Sequence, residues 1–122
     1  MLLNDFFTIN TIETSDAEVK AELVIHAGHR IFDGHFPGQP VVPGVCMMQM
    51  VKEVLEQVLE KETMLSTAAK MKFLAVIDPT KNNSISAHIK YTREEDGTVK
   101  GTASLFKDAL VHFKFKGVFL IN

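Results

Sequence analysis

A histidine stands at the start of a loop whose shape is set largely by three prolines. His35 opens the run His-Phe-Pro-Gly-Gln-Pro-Val-Val-Pro-Gly-Val, which covers residues 35–45. Because Pro37, Pro40 and Pro43 each fix φ and lack a backbone N–H, the run can be neither regular helix nor central strand. We therefore expect a rigid loop that holds His35, whose side chain can act as a base or an acid near neutral pH.

A helix is predicted directly after this loop. Pro43 suits the first helical position, and Gly44 leaves backbone N–H groups open to a ligand oxygen. From residue 45 to about residue 61, apolar side chains form one stripe at ~100° per residue. The stripe comprises Met47, Met48, Val51, Val54, Leu55, Val58 and Leu59, and the opposite, polar face carries Gln49, Glu53, Glu56 and Glu60. The pattern predicts an amphipathic helix of about four turns whose N-terminus can polarise a carbonyl oxygen.

Six extended segments flank this helix. Apolar and β-branched residues with polar breaks between them predict strands at 6–12, 19–25, 68–77, 84–91, 99–106 and 111–121. The breaks at 94–97 and 107–108 predict hairpin turns. Two strands, a helix and four strands predict a single α+β domain over residues 1–122, in which an antiparallel sheet wraps one central helix.

Composition excludes several classes of partner. The net charge of −2 gives no electrostatic footprint for nucleic acid, and no segment has the length and apolar character to span a membrane. The first residues lack a basic region followed by an apolar run, so we expect a cytoplasmic protein. The spacing of His26, His29 and His35 fits no metal site, and His88 and His112 lie in strand patterns, where a structural role is usual.

Residues 35–45 resemble the active-site motif of the FabZ/FabA-type 3-hydroxyacyl-(acyl-carrier-protein) dehydratases. That motif is H-F-P-G-x-P-V-x-P-G-V-x-x-x-E, with Asp for Glu in one branch, and every position agrees from His35 to Val45. Gln49, fourteen residues after the histidine, stands where the family carries its catalytic carboxylate. The resemblance implies the hotdog fold, an antiparallel sheet around one helix.

The resemblance also implies a reaction and an assembly. In the family, the residue matching His35 removes the proton next to the thioester carbonyl, and the carboxylate protonates the departing 3-hydroxyl. Gly44 N–H is our candidate donor to the thioester oxygen. The substrate is carried by acyl carrier protein in fatty-acid or related biosynthesis, without a cofactor. Histidine and carboxylate come from different subunits, so we expect a homodimer or trimer of dimers, with His35 near Gln49 of the partner subunit beside a narrow apolar tunnel.

Gln49 leaves the function open. An amide does not titrate, so a site that relies on Gln49 should be a weak dehydratase. Glu53, one turn later on the same face, can replace the acid or can simply be a solvated glutamate. Two other functions remain: an acyl thioesterase, and a non-catalytic or half-site subunit that binds acyl carrier protein and pairs with another hotdog protein.

One cysteine, three basic residues and one short segment are further candidates for a functional role. Cys46, in the first helical turn, is either an activated nucleophile or a small buried side chain. Lys70, Lys72 and Arg30 are candidate contacts for an acidic carrier protein. The Lys72-Phe73 pair with Val76 also resembles the family's K-F-R-R-P-V segment, without its arginines.

Overall fold

The computed structural model describes residues 1–33 and 40–122. In those residues the chain forms β1 (Phe7–Ser15), β2 (Glu18–Ile25), a short 3-10 helix (Arg30–Phe32), α1 (Gly44–Leu59), β3 (Thr63–Phe73), β4 (Ser84–Arg93), β5 (Thr98–Lys107) and β6 (Leu110–Ile121). The loop residues 34–39, His35 among them, lie outside the described part.

The strands form one antiparallel sheet in the order β1-β2-β4-β5-β6-β3. Burial alternates along β2, β4 and β5, as expected for strands with one face on a core. The helix packs on the buried face and contacts β1 to β5. The predicted α+β hotdog architecture is therefore confirmed, and the helix begins and ends within two residues of the predicted limits.

The apolar stripe of α1 forms the centre of the core. Met47, Met48, Val51, Val54 and Leu55 are all buried, as predicted. The expected polar face is wrong at one position, because Glu53 is only 1% exposed. The reason is that residues 2 and 3 lie over this part of the helix and bind the Glu53 carboxylate.

The third strand lies earlier in the sequence than the pattern predicts. The pattern places it at 68–77, and it is observed at Thr63–Phe73. Most side chains of β3 are exposed, so the alternation that marks a half-buried strand is missing from its sequence. The strand ends where the N–H groups of Leu74 and Ala75 both turn to the carbonyl oxygen of His112.

Short turns connect most of the strands. Asp16 and Ala17 both have positive φ between β1 and β2, the geometry of a type I′ hairpin. The predicted turns at 94–97 and 107–108 are confirmed: Gly97 has φ +87°, and Asp108 has φ 52°. Among the described residues, no helix is long and apolar enough to cross a bilayer.

Candidate functional site

The N-terminus of α1 is not capped by any side chain among the described residues. Pro43 occupies the N-cap position in an extended conformation and provides no side-chain cap. The N–H groups of Cys46 and Met47 donate to the Pro43 carbonyl, whereas those of Gly44 and Val45 have no acceptor among residues 1–33 and 40–122. The first turn also contains no acidic side chain. With the helix dipole behind them, these free N–H groups can hold a carbonyl or enolate oxygen.

Gly44 is closely covered by an aromatic ring. A Cβ atom at this position would lie 2.9 Å from Phe73 Cε1, so the ring would have to move to admit a larger residue. Phe73 is itself stacked on Phe113, with 5.1 Å between ring centroids. The end of β3 and the start of α1 are thus fitted to each other, a contact that no sequence signal indicated.

Apolar side chains are exposed at the same end of the molecule. Phe73 is 52% exposed and Val45 is 76% exposed. Leu74, Val76 and Leu110 are also more than half exposed. Leu74 is tied by its N–H to the strand that contains Leu110. Such a concentration of exposed large apolar side chains is typical of a surface that binds another molecule.

Gln49 lies about 7.5 Å along the helix axis from Gly44 and is partly buried. Its side-chain amide donates from Nε2 to Oε2 of Glu53 over 2.7 Å. The i, i+4 spacing of the two residues allows this contact, and it was the one signal in the sequence that could have identified the pair.

Glu53 is a buried carboxylate with backbone partners. Its Oε1 accepts hydrogen bonds from Leu2 N (3.0 Å) and Leu3 N (2.7 Å). Its Oε2 lies 2.9 Å from Leu2 N and accepts the bond from Gln49. No pattern in the sequence indicated this docking of residues 2 and 3. The side chain expected to be solvated or to supply an acid therefore links the helix to the start of the chain.

His35 lies outside the described residues, so its distance from Gln49 and the expected apolar tunnel remain predictions. The end of its loop is described. Val42 is buried, and its N–H donates to the Ile77 carbonyl over 2.9 Å. This bond fixes the approach of the chain to Pro43 and hence the start of α1.

Cys46 packs as a core residue. Its side chain is buried, and burial raises the pKa of the thiol. A raised pKa disfavours the thiolate that a nucleophile needs, so the helix N-terminus does not activate this residue. The alternative interpretation of Cys46, as a small buried side chain, is the one that the structure supports.

Two of the histidines near the loop have structural partners. His26 Nδ1 donates to the Asp5 carbonyl, and its Nε2 accepts from the Thr8 hydroxyl. His29 Nδ1 accepts the Ile31 N–H, which leaves Nε2 to donate to the Asp5 carboxylate over 3.1 Å. The bond from His29 holds the pKa of Asp5 below its ordinary value, against the opposing effect of burial. Both rings connect the start of the chain to the segment that precedes the loop.

The two strand histidines differ in burial and in their partners. His112 is buried with Nδ1 3.2 Å from the Ala75 carbonyl oxygen. His88 lies on the outer face of β4, with Nε2 3.4 Å from Glu18 Oε1. Among the described residues, no group of three His, Cys, Asp or Glu side chains could hold a metal ion.

The basic candidates for carrier contact lie on two separate elements. Lys70 and Lys72 on β3 are paired directly with Lys116 and Lys114 on β6, whereas Arg30 lies in the 3-10 helix. Like charges that face each other across strands destabilise a sheet. Because the two lysine pairs are two residues apart in the register, they lie on one face and form a positive strip on the sheet, separate from Arg30.

Comparison with known proteins identifies the family. The ApeI-like family, described as ApeI dehydratase, matches residues 11–108. A FabZ 3-hydroxyacyl-(acyl-carrier-protein) dehydratase of Levilactobacillus brevis is 33% identical over 81 residues, which cover 61% of this chain and 55% of the relative. FabZ of Rickettsia rickettsii is 29% identical over 92 residues, covering 69% of this chain and 63% of the relative. The matches thus span between about half and two thirds of these curated relatives.

Solved structures share the fold. The dehydratase heterocomplex ApeI:P from Xenorhabdus doucetiae superimposes with a TM-score of 0.67 at 21% identity, covering 92% of this chain and 96% of that one. A sigma28-regulated virulence protein from Campylobacter jejuni gives a TM-score of 0.73 at 14% identity, covering 99% and 88%. Since the family match extends over most of the chain, this protein belongs to the ApeI-like dehydratase family, a hotdog-fold family related to FabZ.

Proposed function

We propose that this chain is a subunit of a dehydratase that converts 3-hydroxyacyl thioesters on acyl carrier protein to enoyl thioesters. The main support for the proposal is that the family motif runs directly into the first turn of α1. In the sequence, the motif that begins at His35 leads directly into a helix whose first N–H groups, those of Gly44 and Val45, have no acceptor among the described residues. A base and an oxyanion site are the two parts that removal of a proton next to a thioester requires.

The proposed reaction proceeds through an enolate. His35 takes a proton from C2 of the substrate, and the negative charge that develops on the thioester oxygen is held by Gly44 N–H. The electron pair then forms the C2–C3 double bond as the C3–O bond breaks. The departing hydroxyl needs a proton to leave as water. Gln49 cannot supply that proton, so we expect a homodimer with two glutamines at this position to be slow.

Pairing with a second hotdog subunit is part of the proposal. Within the described residues, β3 pairs only with β6, so the other edge of β3 is open to a further strand. The exposed apolar side chains of Val45, Phe73 and Leu74 lie at the same end of the fold. A strand added at this edge would satisfy its backbone groups and help to cover the apolar surface.

The second subunit is either another copy of this chain or a different hotdog protein. The ApeI:P structure is a heterocomplex, which supports the second assembly for a family member that lacks the acid. In that case the partner contributes the carboxylate opposite His35, and this chain is the half-site subunit. A homodimer or trimer of dimers remains the simpler assembly.

Acyl carrier protein is the proposed macromolecular partner, and we expect both proteins in the cytoplasm. The positive strip formed by Lys70, Lys72, Lys114 and Lys116 can attract an acidic carrier, as can Arg30. Replacing Lys70 and Lys72 by serine should weaken carrier binding more at low than at high salt, if these residues take part.

The function is tested by incubating the pure protein with a 3-hydroxyacyl carrier protein and following enoyl product by absorbance and free acid by mass spectrometry. We expect enoyl product, at a low rate for the chain alone and at a higher rate after addition of a hotdog partner with an intact acid. His35→Ala should reduce this rate by about 10²–10⁴-fold. His88→Ala, a histidine on the outer face of the sheet, is the matched control and should leave the rate unchanged.

Each other outcome has a definite meaning. Free fatty acid in place of enoyl product would identify a thioesterase and overturn the proposal. A rate equal to background in both settings, with carrier protein still bound, would identify a non-catalytic subunit. An equal loss in both histidine variants would show that His35 has no special role.

A further inference from the structure

The burial of Glu53 is not explained by an ion pair within the described part of the chain. Its side chain is almost fully buried, and no lysine, arginine or histidine of residues 1–33 and 40–122 forms an ion pair with it. Its four contacts come from three N–H donors: Leu2 N, Leu3 N and the amide of Gln49. Burying a carboxylate is costly unless such donors compensate it. The Gln49 amide is therefore one of the groups that allow Glu53 to be buried.

The same contact determines the orientation of the Gln49 amide. Oxygen and nitrogen of an amide are distinguished only by their hydrogen-bond partners, and both oxygens of Glu53 act as acceptors here, because each receives a backbone N–H. The group 2.7 Å from Glu53 Oε2 is therefore the NH₂ of Gln49, because an oxygen there would be repelled. Oε1 consequently points away from Glu53, and it has no donor among the described residues.

We propose that Glu53 is a positioning residue that presents Gln49 to the substrate as a hydrogen-bond acceptor. The inference rests on the proposed function, in which residue 49 faces the 3-position of the acyl chain. Oε1 of Gln49 then accepts a hydrogen bond from the 3-hydroxyl group. A 3-oxoacyl thioester has no hydrogen to donate at that position, so the site selects the hydroxyl form. Residue 49 thus sets substrate specificity although it cannot transfer a proton.

The geometry of Glu53 also defines a variant that should preserve the pair. Its Oε1 accepts from Leu3 N and Leu2 N, and its Oε2 faces Gln49 and also lies 2.9 Å from Leu2 N, so the Leu2 N–H is shared between the two oxygens and can bond to Oε1 alone. A glutamine at 53 can keep its oxygen toward Leu2 and Leu3 and turn its NH₂ toward residue 49. With glutamate at 49, that NH₂ again has a carboxylate acceptor. The double variant Gln49→Glu/Glu53→Gln therefore restores the hydrogen bond with its direction reversed, and the second oxygen of the new carboxyl group faces the substrate, as an acceptor when ionised and as a proton donor when protonated.

The test compares the binding of 3-hydroxyoctanoyl-pantetheine and 3-oxooctanoyl-pantetheine by calorimetry, with His35→Ala added to every protein so that the hydroxy compound is not converted during the measurement. The wild type should bind the hydroxy compound about tenfold more tightly, the value of one ordinary hydrogen bond. In Glu53→Gln two amides face each other, the orientation of Gln49 is no longer fixed, and the ratio should fall to about twofold or less. The double variant should recover the wild-type ratio.

Glu56→Gln is the matched control, because Glu56 is also a largely buried glutamate of α1 and accepts a backbone N–H from outside the helix, that of Thr63. It should lower the melting temperature without changing the ratio. A ratio unchanged in folded Glu53→Gln, or not restored in the double variant, overturns the inference while the proposed function stands. Failure of wild-type protein to bind either compound overturns the proposed function itself. If Glu53→Gln does not fold, the ratio of the two affinities in the double variant is compared with the wild-type ratio. Equal ratios support the inference, and a lower ratio in the double variant overturns it.

Discussion

The two ends of α1 are built in opposite ways. At the C-terminal end, Glu60 adopts a left-handed conformation and its N–H donates to the Glu56 carbonyl. The Glu56 side chain accepts the N–H and hydroxyl of Thr63 and pairs with Lys52 over 3.0 Å. At the N-terminal end, Gly44 and Val45 offer N–H groups without a described acceptor. The C-terminal end is thus bonded to the rest of the fold, whereas the N-terminal end has two N–H groups without an acceptor among the described residues, which is the end that we propose binds the substrate.

The two buried glutamates of the helix sharpen this contrast. Each glutamate accepts backbone N–H groups from outside the helix: Glu53 from residues 2 and 3, which are 51 and 50 residues away, and Glu56 from residue 63, which is 7 residues away. Glu56 has the charge of Lys52 beside it, whereas Glu53 has the neutral amide of Gln49. The glutamate nearer the N-terminal end is thus coupled to the residue at the family's acid position. Its counterpart nearer the C-terminal end is coupled to a surface lysine.

The largest effect is expected when the N-terminal end of α1 receives an acid. Gln49→Glu should raise the dehydration rate of the homodimer by about tenfold to 10³-fold, because it adds a proton donor. The new carboxyl group would lie beside Glu53, and two adjacent carboxylates hold one proton between them. Steady-state rates of enoyl formation measure the gain. An unchanged rate in folded variant protein would mean that the missing acid is not what limits the wild type.

The same variant should have a stability that depends on pH. The shared proton of the pair is retained to a higher pH in the folded than in the unfolded chain, where glutamate has a pKa of about 4.3. Stability from this source is present below that value and is lost as the pH rises. Thermal melting from about pH 4 to about pH 8 should show a decline relative to wild type. If the melting temperatures of variant and wild type changed with pH in parallel, the two carboxyl groups would not share a proton.

Truncation of each glutamate compares the two buried sites directly. Glu53→Ala should lower the free energy of unfolding by about 1–3 kcal/mol, because Leu2 N–H and Leu3 N–H lose their acceptor. Glu56→Ala should cost about 1 kcal/mol, since the Lys52 pair is more exposed and contributes little. Urea unfolding of both variants provides the measurement. A larger loss for Glu56→Ala would reverse the ranking.

A methyl group added at Gly44 should lower kcat/KM but leave the melting temperature almost unchanged. Gly44→Ala places a Cβ 2.9 Å from the Phe73 ring, which must move, while alanine favours the helix by up to about 1 kcal/mol. We expect about a tenfold lower kcat/KM as the N–H groups shift, with little change in melting temperature. Phe73→Leu in the same background should recover activity if the ring causes the loss. If Phe73→Leu does not restore kcat/KM, the loss in Gly44→Ala is caused by the methyl group itself and not by movement of the ring.

The smallest effect concerns the segment that precedes the loop. Because the hydrogen bond from His29 lowers the pKa of Asp5, this carboxylate stabilises the fold above its unfolded pKa of about 3.9. That contribution is lost as the pH falls through the folded value. Asp5→Asn should therefore show a smaller drop in melting temperature than wild type between about pH 5 and about pH 3. Asp16→Asn, in the β1–β2 turn, is the control and should follow the wild type.

Much of the fold could be predicted from the sequence because its patterns are local. The stripe around Met47 and Val51 located the helix, and polar breaks located most of the turns. The prediction was wrong for β3, an edge strand without alternation, and for Glu53. Its burial depends on Leu2 and Leu3, which lie about fifty residues away in the sequence. Contacts of this kind, like that of Phe73 with Gly44, arise only when the folded chain brings distant segments together.

We infer that the N-terminal end of α1 is a dehydratase site in which position 49 lacks an acid and Glu53 holds the Gln49 amide. The most direct measurement is the rate of enoyl formation by the double variant Gln49→Glu/Glu53→Gln, which adds the acid and keeps the hydrogen-bonded pair. We predict a rate at least about tenfold above wild type at unchanged melting temperature, lost again on adding His35→Ala. A folded double variant that binds 3-hydroxyoctanoyl-pantetheine but forms no more enoyl product than wild type would contradict the account.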